Sequence, residues 1–163
     1  MSQELFQKLE TQHGLPKGLL DAVWAQESAR GKRMLSPAGA QGHFQFMPDT
    51  AKQYGVTDPN DLTQSATGAA KYFSNLSKRF GGDLPKMLAG YNWGEGRVER
   101  LGLDKAPAET RNYIASIAPK VNTAPDILSQ VKTAKEAGYS DDEIFKHLQA
   151  SKSDKVTKAR EAG

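Results

Sequence analysis

The chain contains no cysteine, which excludes a disulfide framework and a thiolate metal site. Its three histidines, His13, His43 and His147, lie too far apart in sequence to form a local zinc motif. No stretch approaches the roughly 18 consecutive apolar residues of a membrane span, and the first residues lack the apolar centre of a secretory signal. We therefore expect no metal or other cofactor, no membrane span and no signal peptide.

The chain also has only a small excess of positive over negative charge. The net charge is +3, and the whole excess lies in residues 1–123, which hold 15 basic and 12 acidic residues, against 7 and 7 in residues 124–163. This mild positive balance suits an anionic polymer such as a cell wall. It falls short of the clustered Lys/Arg stripe of a nucleic-acid binder, so we expect no contact with nucleic acid.

The spacing of the apolar residues predicts the secondary structure. The predicted segments are a helix at 4–13, a helix that Pro16 opens and that ends near Ser28, an ordered loop at 30–47, a short helix after Pro48, a core helix at 63–80, a helix at 84–91 that stops at a turn over 92–96, and a helix from Pro107 to about Lys120. Alternating strand patterns are nearly absent. The sequence therefore predicts an all-α fold, with one domain and a short appendage.

Glu27 is the most informative single residue. It shares one face of the second helix with Leu20, Val23 and Trp24, which places its carboxyl on the apolar side. A desolvated carboxyl group has a raised pKa, so it can donate a proton near neutral pH. The alternative is a glutamate at a helix end that pairs with Arg30 or Lys32.

Tyr91, Asn92 and Trp93 lie at a glycine-rich helix end. Aromatic rings beside amide groups are what a sugar-binding groove needs, because pyranose faces stack on rings while hydroxyl and acetamido groups seek polar partners. The alternative is a plain helix terminus with a buried tyrosine and a capping asparagine.

Several ordered segments share one known pattern. They are residues 27–28 (ES) at a helix end, 36–42 (SPAGAQG), 45–48 (QFMP), 82–84 (GDL), 91–94 (YNWG) and 109–114 (ETRNYI). Together they resemble the soluble lytic transglycosylase family of the lysozyme superfamily, over roughly residues 5–120. The resemblance implies a lysozyme-like helical domain with an active-site groove over residues 1–123.

The resemblance also implies a chemistry for Glu27. The carboxyl would protonate the glycosidic oxygen between N-acetylmuramic acid and N-acetylglucosamine in peptidoglycan, then take a proton from the muramyl C6 hydroxyl as a 1,6-anhydro ring forms. The resemblance places Ser36 and Tyr91 close to the carboxyl, lines the groove with Gln45, Asn92 and Tyr113, and puts Ser28 and Met47 nearby. For each of these seven side chains the alternative is loop or helix packing.

The sequence departs from the family at four positions. His43 stands where leucine is usual, Phe44 replaces a common methionine, and Gly90 and Trp93 replace smaller, alanine-rich surroundings. These departures predict a groove of different shape, in which His43 either contacts the substrate or fills space.

Two other functions fit the same pattern. Goose-type lysozymes share the fold and the glutamate but hydrolyse the bond, and an inverting hydrolase needs a second carboxylate about 6.5 to 9.5 Å from the first. Asp49, Asp58 and Asp61 are the candidates, although they resemble first-turn, turn and cap residues, and no acidic residue at the motif positions is singled out. The other alternative is a glycan-binding module without catalysis, against which the presence of Glu27 argues.

Residues 124–163 are predicted to form a helical extension with an internal repeat. The segment 131–138 (VKTAKEAG) nearly recurs at 156–163 (VTKAREAG). Gly138 is predicted to end a helix, and Ser140 with Glu143 to form a capping box for the next. The second unit stops at the counterpart of Gly138, which predicts that the chain is part of a longer protein.

A wall-cleaving domain that lacks a signal peptide and is joined to helical repeats resembles the front domains of large phage virion proteins. Those domains open the bacterial envelope as DNA passes through it. The resemblance implies a virion component that acts in the bacterial periplasm or cell wall, with the extension as a contact for other virion proteins. A bacterial secretion-system transglycosylase is the alternative.

Overall fold

The computed structural model describes residues 1–122 and, beyond them, Lys135, Gly138, Ser140 and Glu143. The chain divides into two units, Met1–Asn122 and Thr123–Gly163. All of the predicted site residues lie in the first unit.

The first unit is helical, as predicted. Its helices are α1 (Ser2–His13), α2 (Leu19–Ser28), α3 (Pro48–Gln53), α4 (Leu62–Phe80), α5 (Leu84–Ala89), α6 (Glu95–Leu101) and α7 (Ala108–Ile117), with a π-helical segment at Gly90–Gly94 and 3-10 turns at Leu103–Lys105 and Ala118–Lys120. Residues 1–122 form isolated β-bridges but no strand. None of the described helices is long and apolar enough to cross a membrane.

Helix α4 lies at the centre of the core, and α1, α2 and α5 pack against it. Its buried face combines Ala66, Ala69 and Ala70 with the larger Phe73 and Leu76, all of them almost inaccessible to solvent. The alanines let the neighbouring helices approach closely, while the larger side chains contribute most of the apolar burial. The sequence-based assignment of this helix as the core element is confirmed.

Helix α2 begins three residues later than predicted, at Leu19 rather than at Pro16. Gly18 has a left-handed backbone (φ 86°), so the helix cannot extend back through it. The buried Glu10 carboxylate of α1 instead accepts hydrogen bonds from the backbone N–H groups of Gly18 (3.0 Å) and Leu20 (2.9 Å). This contact from another helix satisfies amides at the start of α2, which local sequence patterns cannot reveal.

The sequence also predicts that Phe44, Phe46 and Met47 anchor the loop between α2 and α3; this is confirmed for the two phenylalanines and wrong for Met47, which is exposed. Phe44 and Phe46 are fully buried in the core. Gly42, two residues before Phe44, has a φ of 78°. A Cβ atom at this position would overlap the carbonyl oxygen of Pro59. That same oxygen accepts the backbone N–H of His43 at 3.1 Å. Only glycine at position 42 allows the loop to dock so closely.

The prediction that the helix stops at a turn over residues 92–96 is wrong. The chain widens into the π-helical segment Gly90–Gly94 and then continues as α6. Gly90 packs against the side chains of Leu76 and Phe80, so closely that a Cβ atom would force Leu76 to move. Short π-helical insertions of this kind re-aim the side chains that they carry, and here those are Tyr91 and Asn92.

Beyond residue 122, the predicted capping box is confirmed. The backbone N–H and hydroxyl of Ser140 donate to the Glu143 carboxylate at 2.9 and 2.7 Å, and the Glu143 N–H donates to the Ser140 hydroxyl at 3.4 Å. Gly138 has the left-handed φ of 88° expected of a helix terminator. The two repeat segments lie almost wholly outside the described residues.

Candidate active site

Glu27 lies in the last turn of α2, on the face that also carries the buried Leu20, Val23 and Trp24. Its carboxyl is partly buried, and the phenol of Tyr113 on α7 donates a hydrogen bond to Oε1 at 2.6 Å. Burial raises the pKa of the Glu27 carboxyl from 4.5 to about 7, while the Tyr113 hydrogen bond opposes the rise. A carboxyl group with this pKa can both donate and accept a proton near neutral pH.

The alternative pairing of Glu27 with Arg30 or Lys32 does not occur. The guanidinium of Arg30 forms two hydrogen bonds with the Asp21 carboxylate, at 2.8 and 3.2 Å. Among the residues that the structure describes, no cation forms an ion pair with Glu27. Its carboxyl therefore lacks the positive neighbour that would have lowered its pKa.

Ser28 anchors the loop that follows α2. Its fully buried hydroxyl donates to the carbonyl oxygen of His43 at 2.8 Å and accepts the backbone N–H of Gly31 at 2.9 Å. A side chain with no exposed surface cannot touch a sugar in this conformation. Ser28 thus contributes to the site by fixing the loop next to Glu27.

His43 joins the same loop to α2 through its side chain. The indole N–H of Trp24 donates to His43 Nδ1 at 3.0 Å, and the two rings meet edge-on with centroids 5.7 Å apart. The imidazole also covers Gly31, where a Cβ atom would clash with it. Leucine, the residue that is usual in the family, offers no acceptor for the indole. The departure at position 43 therefore gives the loop a polar attachment to α2, the helix that carries Glu27.

Gln45 has a strained backbone, with a φ of 49° in the left-handed region. Its side-chain amide donates to the carbonyl oxygens of Gly42 at 2.8 Å and Arg33 at 3.4 Å. Both hydrogen bonds use the amide nitrogen, which leaves the side-chain oxygen as an acceptor. Met47, two residues on, is 47% exposed at the start of α3. An exposed methionine and an amide of fixed orientation suit the wall of a groove.

Ser36 shapes the tip of the loop. Its hydroxyl accepts the backbone N–H of Ala40 at 3.0 Å, and its own N–H donates to the Ala40 carbonyl oxygen at 2.9 Å. In the described part of the chain, the hydrogen bond to the Glu27 carboxyl comes from Tyr113 rather than from Ser36.

Tyr91 and Asn92 belong to the π-helical segment Gly90–Gly94, which contacts the loop. The Tyr91 phenol donates to the carbonyl oxygen of Phe44 at 2.8 Å, and Asn92 Oδ1 accepts from the Thr110 hydroxyl at 2.8 Å. Burial raises the pKa of Tyr91 well above its ordinary value, and the charge of Glu27 adds to the rise. Tyr91 thus lies within electrostatic reach of the carboxyl, and its hydrogen bond ties this segment to the loop.

The three aspartates considered as partners of Glu27 have structural positions. Asp61 caps α4 by accepting the Gln64 N–H at 2.8 Å, Asp58 accepts the Asn60 N–H at 2.9 Å within a turn, and Asp49 lies in the first turn of α3. The acidic residue that acts on Glu27 is instead the exposed Glu109, whose negative charge contributes to the raised pKa. Sequence reasoning missed it, although it begins the 109–114 motif.

Replacing Glu109 with glutamine should shift the pH dependence of activity. Removing a negative charge makes ionisation of Glu27 easier, so the pKa of Glu27 should fall below its value of about 7. The pH above which activity declines should then move down by about half a unit, as expected for one solvent-exposed charge. Initial rates between pH 5 and 9 measure this shift. Glu4→Gln, an exposed change on α1, should leave the profile in place, and an upward shift for Glu109→Gln would contradict the assignment.

The described residues contain no group of three or more His, Asp or Glu side chains placed to hold a metal ion. What they do contain is one partly buried acid at a helix end, a phenol bonded to it, and a loop and a π-helical segment that meet beside it. The helical architecture around this acid is of the lysozyme-like class. The soluble lytic transglycosylase Slt of Pseudomonas aeruginosa, solved as an inactive mutant, has the same fold, with a TM-score of 0.60 at 24% identity over 70% of this chain and 22% of that one.

The amino-acid sequence also matches the model of a known family. A profile described as the transglycosylase SLT domain matches residues 4–114, more than half of the chain. The chain belongs to the transglycosylase SLT domain family, which confirms the resemblance found in its motifs.

Three relatives indicate the range of that family. The chain is 33% identical over 125 residues to the membrane-bound lytic murein transglycosylase D of Escherichia coli K12, covering 65% of this chain and 27% of that protein. It is 34% identical over 100 residues to the membrane-bound lytic murein transglycosylase F 1 of Alkalilimnicola ehrlichii, covering 58% and 20%. It is 32% identical over 111 residues to a transglycosylase of Enterobacteria phage PRD1, covering 68% and 39%. The matched region is thus well under half the length of each relative.

Proposed function

We propose that this domain cleaves the β-1,4 bond between N-acetylmuramic acid and N-acetylglucosamine in peptidoglycan and releases a 1,6-anhydromuramic acid product. The observation that carries the proposal is the Glu27 carboxyl, whose pKa of about 7 suits proton transfer in both directions. Membership of the SLT family supports the choice of peptidoglycan as the substrate.

The proposed reaction needs one protein acid. Glu27 donates its proton to the glycosidic oxygen as the bond from that oxygen to the muramyl C1 breaks. The positive charge that develops at C1 is met by the substrate's own 2-acetamido group. The Glu27 carboxylate then takes the proton of the C6 hydroxyl while O6 bonds to C1. Glu27 ends protonated again, and no water is consumed.

The surrounding residues have separate roles in this proposal. Tyr113 holds the Glu27 carboxyl in place through its 2.6 Å hydrogen bond. Gln45, Asn92 and Met47 line the groove, and Tyr91 fixes the loop through the Phe44 carbonyl oxygen. Ser28 and Ser36 maintain the shape of the loop.

Hydrolysis is the second candidate because Glu109 provides a carboxylate within electrostatic reach of Glu27. The two reactions differ in their products, since the transglycosylase product is lighter by one water and has no reducing end. Mass spectrometry of fragments released from purified walls therefore tests the proposal. Fragments that end in 1,6-anhydromuramic acid support it, and a majority of reducing muramic acid ends would replace it with a lysozyme-like hydrolase.

Residues 1–123 should fold and cleave walls without the rest of the chain. A chain that ends after residue 123 keeps the whole described core and every residue of the proposed site. We expect this truncated chain to fold cooperatively and to cleave walls at a rate within about twofold of the full chain, since the described core and the proposed site lie within residues 1–122. Circular dichroism melting and a wall-clearing assay measure both properties. An unfolded or inactive product would contradict the division into a catalytic domain and an extension.

We further propose that the protein is a phage virion component that opens the wall locally as DNA passes into the cell, with residues 124–163 as a contact for other virion proteins. The phage transglycosylase among the relatives supports this setting. Mass spectrometry of purified virions tests it, because a virion component is present in stoichiometric amounts. Its absence from the particle would favour the bacterial secretion-system alternative.

A further inference from the structure

The segment between Glu27 and α3 carries charge of one sign only. Residues 28–48 contain Arg30, Lys32 and Arg33 but no aspartate or glutamate. The loop that borders the proposed site is therefore positively charged along its first part.

One of these three charges is already neutralised. Arg30 is bound by the Asp21 carboxylate of α2 through two hydrogen bonds. A guanidinium group engaged by a carboxylate in this way has little capacity left for another anion. The remaining positive charge of the loop belongs to Lys32 and Arg33.

Lys32 and Arg33 are both exposed, and in the described part of the chain neither forms an ion pair or a side-chain hydrogen bond. By contrast, Arg79 is engaged by Glu99 at 2.6 Å, and Lys86 lies 3.9 Å from Asp83. The two loop cations are therefore available to a ligand.

The backbone places Arg33 between two residues of the proposed site. Its N–H donates to the carbonyl oxygen of Ser28, the residue after Glu27, at 2.9 Å. Its own carbonyl oxygen accepts from the Gln45 side chain at 3.4 Å. The Arg33 backbone therefore bridges Ser28 and Gln45, which places Arg33 and its neighbour Lys32 beside the proposed site.

We infer that Lys32 and Arg33 bind the carboxylates of the peptide stems on the glycan strand, so that the enzyme favours strands that carry stems. This inference rests on the proposed function. The glycan backbone is largely uncharged once its lactyl groups are linked to peptide, whereas each stem carries free carboxylates beside the muramic acid residue at which the bond is cut. A guanidinium matches a carboxylate with two parallel hydrogen bonds, and a neighbouring ammonium adds a mobile second charge.

The test compares two wall preparations and two double variants. Walls are used untreated, or after conversion of their stem carboxylates to amides with a carbodiimide and ammonia, which keeps the peptide and removes its charge. The test variant combines Lys32→Gln with Arg33→Gln. The matched control combines Lys8→Gln with Lys120→Gln, which removes the same charge from exposed positions outside the loop.

For the unmodified enzyme, we expect the wall concentration at half-maximal rate to be about tenfold higher on amidated walls, as two exposed ion pairs would give. The Lys32/Arg33 variant should show that same tenfold increase on untreated walls, no further increase on amidated walls, and an unchanged maximal rate. The control variant should behave like the unmodified enzyme on both preparations.

Two results would overturn the inference while leaving the proposed function intact. One is equal cleavage of both preparations by the unmodified enzyme. The other is a loss in the Lys32/Arg33 variant that is the same on untreated and amidated walls, since this points to a general loop or charge effect. Failure of the unmodified enzyme to cleave either preparation would instead reject the proposed function.

Discussion

Replacement of Glu27 by glutamine should lower the rate of wall cleavage by at least about a hundredfold, the lower range for a group that acts as general acid and base. Glutamine has nearly the same shape, and its carbonyl oxygen can still accept the Tyr113 hydrogen bond that Glu27 accepts at 2.6 Å. It has no proton to give to the glycosidic oxygen and cannot take one from the C6 hydroxyl. The rate of release of soluble fragments from purified walls measures the loss, and sedimentation with walls should show that binding persists.

The same variant provides its own control for folding. The pKa of Glu27 is about 7 in the folded protein and 4.5 when the side chain is exposed in the unfolded chain. Ionised Glu27 therefore destabilises the folded state by about 3 kcal/mol. This cost is absent below pH 4.5, appears as the pH rises, and is complete above pH 7. Glu27→Gln should therefore melt at a higher temperature than the unmodified protein at pH 8 and close to it at pH 4.5. Retained activity, or a melting temperature that falls at pH 8, would contradict the role and the burial of Glu27.

Replacement of Tyr113 by phenylalanine should lower the maximal rate by about tenfold to a hundredfold, because hydrogen bonds to charged groups contribute about 1.5 to 3 kcal/mol. The phenol stabilises the Glu27 carboxylate and opposes the rise of its pKa, so its removal should raise that pKa above 7. The pH above which activity declines should then move upward, opposite to the shift expected for Glu109→Gln. Rates across pH 5 to 9 measure both effects.

Tyr54→Phe is the matched control for the Tyr113 variant. It removes a hydroxyl that accepts a hydrogen bond from the Asn75 side chain at 3.4 Å, and it keeps the ring that stacks on Tyr72. It should leave both the rate and the pH profile unchanged. A Tyr113 variant that lowers the rate with no change of pH profile would mean that the phenol acts through packing alone.

Local sequence was sufficient for much of the fold. Helix α4 has a regular apolar face, and its predicted span differs from the observed Leu62–Phe80 by a single residue. The placement of Glu27 on an apolar face could also be predicted, because Leu20, Val23 and Trp24 lie within two turns of it.

The features that sequence missed depend on contacts between distant segments. The start of α2 is set by Glu10 of another helix, and α6 follows a π-helical widening where the glycines indicated a turn. Tyr113 was expected in the groove wall but is the residue bonded to Glu27, 86 positions earlier in the chain. Glu109 was overlooked because its influence on the Glu27 pKa is exerted through space by a residue that is exposed and unremarkable in sequence.

The separation between Glu27 and Tyr113 has a consequence for when the enzyme can act. Helix α7 is the last α-helix of residues 1–122, and it carries both Tyr113, whose phenol bonds to the Glu27 carboxyl, and Glu109, whose charge raises the Glu27 pKa. A molecule in which α7 has not yet docked lacks the phenol that bonds to the Glu27 carboxyl and the carboxylate of Glu109 that acts on its pKa. Under the proposed mechanism, a chain that is still emerging from the ribosome therefore lacks a complete active site. The proposed site is complete only once α7 has packed against α2.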